Sequence, residues 1–369
     1  MPFAPRLKRL YAAMEAAGLD AILLNPGPSL PYLTDLHFHI SERPVVACFS
    51  PGHTPTIVVP ELELLKLSKA PYEIEGYAYS ERPESWQTAF TAAFEHLGPG
   101  SRVGVEDRCL RVLELRFIQA ALGHDNLTSA EEAIATLRMH KDGAELDLMQ
   151  EAVHMAENAL SDTLPHVKPG VTEREINARL IAAMLRHGSG GELPFQPIIA
   201  FGANSANPHA VPTEYAARVG DLILFDWGAN NKGYFSDLTR TFALGEPSDT
   251  LRTIYETVRA ANEAGCAKGA PGVKASAVDH AARGVIERAG YGDKFVHRTG
   301  HGLGLEVHEE PYIRGDNDQL LAEGMTYTVE PGIYLAGQGG VRIEDDMVIT
   351  KDGCRSLSTY DRSLTILPA

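Results

Sequence analysis

The sequence has little of several things. Its 369 residues hold only four cysteines, Cys48, Cys109, Cys266 and Cys354, far apart and with no Cys-x-x-Cys pair. That spacing argues against a disulfide framework or a thiolate zinc site and favours a reducing, cytoplasmic compartment. Basic side chains are in deficit: 33 Lys and Arg against 49 Asp and Glu, a net charge of −16. Nucleic acids and anionic membranes both need a basic face, so neither is an expected partner. No apolar run is long enough for a membrane span, and the charged N-terminal stretch lacks an A-x-A site, so it does not read as a signal peptide. There is no low-complexity tract, and no phosphate loop in the first third. What is present is ordinary for a soluble globular chain, 44% hydrophobic and 22% charged, with length for two to three domains.

The pattern changes near residue 140 and divides the chain into 1–135 and 136–369. The first part alternates helical stretches near 4–17, 84–97 and 109–121 with apolar strands at Ala21–Leu24, Val45–Phe49, Thr56–Val59 and Arg102–Val105, which predicts an α/β domain. The second opens on two capping boxes, Asp142 with Glu145 and Thr172 with Glu175. The acidic start of the first of these helices, 142–151, reads as a solvated face. Strands are expected at Pro197–Phe201, Leu222–Trp227 and Tyr234–Phe242, helices at 249–268 and 274–289, and strands again at Met325–Glu330, Val341–Thr350 and Ser356–Ile366.

This second part reads as duplicated. Pro169-Gly-Val171 and Pro271-Gly-Val273 each precede a helix. Gly220 to Asp226 and Gly228 then aligns with Gly324 to Glu330 and Gly332. From the Pro-Gly glycine the carboxylate lies 56 residues on in one half and 58 in the other. Two such halves facing each other would bring Asp226 and Glu330 to a shared cleft. Asp226 ends a strand apolar on both faces, where an ionised side chain is costly unless paired or metal-bound. A hairpin turn at 229–233 would return Asp237 to it, and a second hairpin would return Glu344 to Glu330. Two divalent cations offset four converging carboxylates. His301, between glycines in Thr299-Gly-His-Gly302, supplies an imidazole. Such oxygen-rich sites suit Mn²⁺ or Co²⁺, with Zn²⁺ or Fe²⁺ as alternatives, and paired ions share a hydroxide nucleophile. Of the remaining charged groups, Asp345 and Asp346 are expected at solvent or in local pairs, and Arg342 beside Glu344 or Asp346. His37 and His39 are expected on an exposed strand edge.

These residues resemble the pita-bread metallopeptidases that cleave Xaa-Pro bonds, aminopeptidase P and prolidase, over roughly residues 3–365. The resemblance implies a creatinase-like α/β N-terminal domain and an α+β pita-bread catalytic domain with internal pseudo-twofold duplication. It implies the ligands Asp226, Asp237, His301, Glu330 and Glu344, with Asp237 and Glu344 bridging two metal ions, Asp226 completing one ion, and His301 with Glu330 the other. Its additional histidines match His209 and His308, and an arginine two residues before the last ligand matches Arg342.

The activity implied is metal-dependent hydrolysis of the Xaa-Pro bond at the N-terminus of small peptides. Glu330 would carry the proton, His308 or His209 would face the oxyanion, and Arg342 would assist. Both histidines would also bind substrate. A strict dipeptidase is the alternative, and it needs an arginine for the proline carboxylate. Some prolidases carry one directly after the His-Glu-x-Pro segment; here that place is Tyr312, with Arg314 two further on. Tyr312 and Arg314 are therefore the candidate substrate contacts. If Arg314 faces solvent, longer peptides are expected to be cut. Other classes are a lyase or hydrolase of a non-peptide small acid, or a peptide-binding module without catalysis. A homodimer is expected, with the segment Asp35–His39 reaching the partner's cleft.

Overall fold

The computed structural model describes residues 3–369, which fall into two compact units, up to Arg138 and from Met139 on. In the first, helix α1 (Phe3–Ala17) leads into strand β1 (Ala21–Leu24), followed by α2 (Ser29–Thr34), β2 (Val46–Phe49), β3 (Thr56–Pro60), β4 (Glu75–Tyr79), α3 (Pro83–Ala93), β5 (Val103–Val105), α4 (Val112–Leu122), β6 (Leu127–Ser129) and α5 (Glu131–Met139). The strands form one mixed sheet in the order β4-β3-β2-β1-β5-β6. Its apolar faces are buried against α3 and α4 through Val46, Val58, Phe90 and Ile118. Two helices differ from expectation. α3 ends at Ala93 rather than 97, and α4 starts at Val112 because the amides of Cys109 and Leu110 are drawn into a turn on the Glu106 carbonyl. His37 and His39 lie in an irregular exposed segment and not on a strand edge.

In the second unit both capping boxes form, opening α6 (Gly143–Thr163) and α7 (Glu173–Arg186). There follow β7 (Ile198–Phe201), β8 (Leu222–Trp227), the two-residue strands β9 (Asn230–Asn231) and β10 (Tyr234–Phe235), and β11 (Leu238–Leu244). The second half runs α8 (Asp249–Lys268), α9 (Ala275–Arg288), β12 (Gly300–Gly302), β13 (Glu309–Ile313), β14 (Thr326–Val329), β15 (Gly332–Leu335), β16 (Gly339–Arg342), β17 (Asp345–Thr350), β18 (Gly353–Ser356) and β19 (Ile366–Leu367). The two larger sheets are β7-β8-β11-β19 and β13-β12-β14-β17-β18, and β9-β10 and β15-β16 form two-stranded ones. β8 pairs antiparallel with β7 and β11, as β14 does with β12 and β17, so the halves share an architecture. The strand expected over Ser356–Ile366 is absent. That segment is irregular between β18 and β19: the Leu357 amide still bonds the Asp346 carbonyl of β17, but the amides of Thr359 and Tyr360 turn to the Glu157 carboxylate instead of a ladder.

Two long expected strands are interrupted, at the same place in each half. Tyr234–Phe242 breaks at Ser236-Asp237 between β10 and β11, and Val341–Thr350 breaks at Ile343-Glu344 between β16 and β17. In the first half, Lys232 and Gly233 both have positive φ, 53° and 88°, the conformation a two-residue hairpin turn requires. A Cβ on Gly228 would meet the Ser236 carbonyl at 2.0 Å, so the chain can return past Asp226 only over a glycine.

Candidate metal centre

Asp226 sits on β8, Asp237 at the first break, His301 at the centre of β12, Glu330 just past β14 and Glu344 at the second break. Asp237, His301 and Glu344 are buried, and each offers a ligand atom within 4.8 Å of the others'. His301 Nε2 lies 3.2 Å from Glu330 Oε1 and 3.7 Å from Asp237 Oδ2. The His301 Nδ1 faces the Gly302 carbonyl at 3.1 Å and can only donate there, which leaves Nε2 as the coordinating atom. The glycine at 300 is forced by packing, since a Cβ would meet the Thr328 carbonyl at 1.8 Å.

The two halves hold each other's acids. Thr239 donates through Oγ1 to Glu344 Oε2 at 2.6 Å, and its carbonyl accepts the Glu344 amide at 3.0 Å. In the opposite sense, Asp346 Oδ2 accepts the Asp237 amide at 3.1 Å. Thr239 and Asp346 each stand two residues beyond the acid of their own half.

Burial and mutual repulsion dominate the electrostatics. Burial first, then Glu344 and Asp226, holds the Asp237 carboxyl well above the usual range; burial, then Glu330 and Asp226, does the same to Glu344. Asp226 is raised by burial against the opposing pull of Arg342. Glu330 differs: burial would raise it, but the hydrogen bond and charge of His301 bring it down to about 2. Acids crowded in this way are poorly accommodated without a cation. The Oδ1 atom of Asp226 is buried with no hydrogen-bond partner, as is Oδ1 of Asp346. An orphaned carboxylate oxygen beside three converging ligands of oxygen and imidazole type fits a divalent metal.

Arg342 is buried on β16 and pairs with Asp226, not with Glu344 or Asp346 as expected, because β16 runs beside β8. It also donates to Tyr334 Oη at 2.9 Å and to Thr239 Oγ1 at 3.2 Å. The Tyr334 hydroxyl lies 2.8 Å from His297 Nε2, so a hydrogen-bonded chain runs from His297 to Asp226. Asp345 and Asp346 are fully buried rather than at solvent. Asp345 is clamped between Arg240 at 2.7 Å and Arg362 at 2.6 Å, partners far away in sequence. On α6, Glu145 is likewise buried, taking the Tyr234 hydroxyl at 2.7 Å.

His308 packs its ring edge-on to His301, centroids 4.2 Å apart. Loss of water on that side, then the charges of His301 and Arg298, push its pKa down to about 4, so it is neutral at physiological pH. His209 is exposed in a loop near His308. That loop is fastened by Glu173, whose buried carboxylate accepts from the amide of Phe201 (2.7 Å), Asn204 Nδ2 (2.9 Å) and the amide and hydroxyl of Thr213 (2.7 and 2.6 Å). Arg314 is exposed and pairs with Asp316 at 3.1 Å; among the described residues it has no other side-chain partner. Tyr312 lies half-buried beneath the guanidinium of Arg298, 4.5 Å from the ring centroid. Sequence reasoning missed Thr239, Tyr334 and Glu173. For Glu173 the only signal was an acid in a helix's first turn, and the others carried none.

A duplicated fold with a buried cluster of acids and one imidazole at the junction of its halves defines a metal-dependent hydrolase. Residues 147–351 match the family model for metallopeptidase family M24, and residues 6–140 match the creatinase/prolidase N-terminal domain. The Xaa-Pro dipeptidase of Lactobacillus helveticus is 32% identical over 98% of this chain and 99% of its own. The crystal structure of a prolidase from Thermococcus sibiricus superposes with a TM-score of 0.94 at 34% identity, covering 100% of both chains. A dipeptidase structure from Pyrococcus horikoshii gives a TM-score of 0.92 at 39% identity, over 98% of this chain and 100% of that one. The chain belongs to metallopeptidase family M24 and has the pita-bread catalytic fold with a creatinase-type N-terminal domain.

Proposed function

We propose that the protein hydrolyses the Xaa-Pro bond at the amino end of short peptides. The observation that carries this reading is the buried convergence of Asp237, His301 and Glu344 beside the orphaned oxygen of Asp226, in a chain whose relatives include Xaa-Pro dipeptidases and prolidases. Asp226, Asp237, His301, Glu330 and Glu344 hold two divalent cations, Mn²⁺ first and Co²⁺ second by the donor set. When bound, they supply a nucleophilic hydroxide and a Lewis acid for the substrate carbonyl.

The protein's own groups do the rest. Glu330, kept ionised by His301, takes a proton from the nucleophile and delivers it to the proline nitrogen. Proline nitrogen in a peptide has no hydrogen and leaves only after it has been given one. Neutral His308 and the nearby His209 donate to the oxyanion as it develops. Arg342 fixes Asp226 from behind.

The N-terminal unit exposes the large apolar side chains Ile40 (60%), Leu62 (60%) and Leu65 (85%), which suit contact with a second copy of the chain. We therefore assign a homodimer, to be checked by light scattering. Among the described residues no helix is long and apolar enough to cross a membrane. The structure joins none of the four cysteines in a disulfide, which suits a cytoplasmic enzyme. The test of substrate class is turnover of Ala-Pro against Ala-Ala by the Mn²⁺-loaded protein. Cleavage of Ala-Pro alone supports the reading, and equal cleavage of both contradicts it.

A further inference from the structure

Helix α8 carries two residues that a helix interior disfavours, Asn262 and Gly265, three positions apart and so on one face. Both are buried. A Cβ on Gly265 would meet Cγ1 of Val329 at 2.7 Å, so the helix lies this close to β14 only over a glycine. The same approach delivers the Asn262 side chain, which has no exposed surface, to the backbone that carries two of the acids.

One amide there serves two stretches of chain. Asn262 Nδ2 donates to the Val329 carbonyl at 2.9 Å and to the Ile343 carbonyl at 3.2 Å. These residues immediately precede Glu330 and Glu344. The β14–β17 ladder ends at the pair Val329 and Asp345, so the two glutamates stand just beyond its last rung. Asn262 closes that open end, giving one hydrogen of its NH2 group to each carbonyl. Its Oδ1 accepts from the Cys266 thiol, 3.7 Å away and one turn along the helix, which fixes the orientation of the amide. The amides of the two glutamates are bonded to different segments, Glu330 to the Thr299 carbonyl at 2.7 Å and Glu344 to the Thr239 carbonyl at 3.0 Å. Asn262 is the side chain that joins the two stretches.

In the duplicated half the matching place is apolar. Asn262 lies ten residues before the glycine of Pro271-Gly272, and ten residues before that of Pro169-Gly170 stands Leu160, buried in a cluster with Phe225 and Trp227. The polar clip thus belongs to the half that supplies Glu330 and Glu344.

Resting on the two-cation Xaa-Pro reading above, we propose that Asn262 is a positioning residue that sets the spacing of Glu330 and Glu344, and with it the affinity for the cation that His301 and Glu330 complete. Donors fixed on the carbonyls just before two ligands order both carboxylates in advance, so the cation does not have to order them on arrival. With its amide committed to the backbone, Asn262 acts through those carboxylates and not on the substrate.

The test is Mn²⁺ titration of the metal-free protein by calorimetry, with chemical denaturation and Ala-Pro and Ala-Ala kinetics, in wild type, Asn262→Leu, Asn262→Ser and Val258→Ala. Leucine keeps the volume without a donor, and serine offers one donor for two carbonyls. Val258→Ala loosens the buried packing of α8 one turn away and leaves the clip intact. In Asn262→Leu one cation binds nearly as in wild type, while the other is expected to bind roughly 10- to 100-fold more weakly. Its kcat at saturating Mn²⁺ falls more than its KM changes, because Glu330 is displaced and the substrate is not. Asn262→Ser loses less affinity, and Val258→Ala, although less stable, binds both cations as wild type does. Affinities in Asn262→Leu within about threefold of wild type for both cations overturn the proposal. Where that variant does not fold, unchanged affinities in Asn262→Ser overturn it equally. So does an equal loss in Val258→Ala, which would make affinity a matter of general stability. Wild type that binds two cations but does not prefer Ala-Pro to Ala-Ala overturns the substrate reading alone, and the Mn²⁺ affinities still decide the role of Asn262.

Discussion

Arg342 and Asp226 form a buried ion pair in which the guanidinium takes Oδ2 of the carboxylate and leaves Oδ1 without a partner. One oxygen is thereby oriented and the other is available to a cation. Removing one member of a buried pair typically costs about 3–5 kcal/mol. Arg342→Met is expected to destabilise the metal-free protein by about that much. The deficit should shrink when Mn²⁺ is present, because the cation takes over part of the role of Arg342. Chemical denaturation with and without metal checks this, and an equal deficit in both would mean that Asp226 does not face a cation.

Glu344 and Asp346 separate ligand from support. Glu344 offers its carboxylate to the centre, whereas Asp346 accepts the Asp237 amide, and burial holds its own carboxyl well above the usual range. An amide oxygen accepts the same bond. Glu344→Gln should therefore lower metal content and abolish turnover, while Asp346→Asn should leave both close to wild type. Metal analysis of the two variants decides it, and the reverse pattern would exchange their roles.

Much of the centre is legible in the amino-acid sequence. The buried strand ending in Asp226, its echo at Glu330 and the glycines around His301 identify the acids and the imidazole, because burying unpaired charge is too costly to be accidental. What is not legible depends on contacts between distant segments. Arg342 is expected beside Glu344, its neighbour in sequence, yet β16 lies against β8 and delivers it to Asp226. Asp345 looks like a surface acid until Arg240 and Arg362 are seen on either side. The breaks at Asp237 and Glu344 fall inside stretches that read as single strands.

Glu173 should act on catalysis from a distance. Its carboxylate receives four donors from the segment that carries His209, and Glu173→Ala would leave the buried Phe201 amide without its acceptor. The expected outcome is a loss of stability of about 1–3 kcal/mol, with a kinetic defect resembling that of His209→Ala. Glu173→Gln, which keeps the acceptor oxygen, should recover part of both. A variant destabilised but with normal KM and kcat would show that the loop needs no anchor.

The raised carboxyls give metal binding a proton signature. In the metal-free protein Asp237 and Glu344 titrate above the usual carboxylate range. Their neutral forms therefore stabilise that fold at low pH, and this contribution is lost as pH rises through their folded pKa values. Metal binding reverses the preference and displaces the protons. Calorimetry at a pH above the usual carboxylate range, in two buffers of different ionisation enthalpy, should detect net proton release, with apparent affinity increasing as pH rises. His308 works in the opposite sense. Its depressed pKa of about 4 means that acidification below the usual histidine range costs stability. No release of protons on binding would contradict the carboxyl assignment.

The central claim is that this chain is a two-metal Xaa-Pro peptidase, and the most direct test is metal content and Ala-Pro turnover measured on one preparation. The account predicts that the chelated protein is inactive, and that titration with Mn²⁺ restores turnover as occupancy rises to two ions per chain. Full turnover in excess chelator, with no metal found by mass spectrometry, would contradict it.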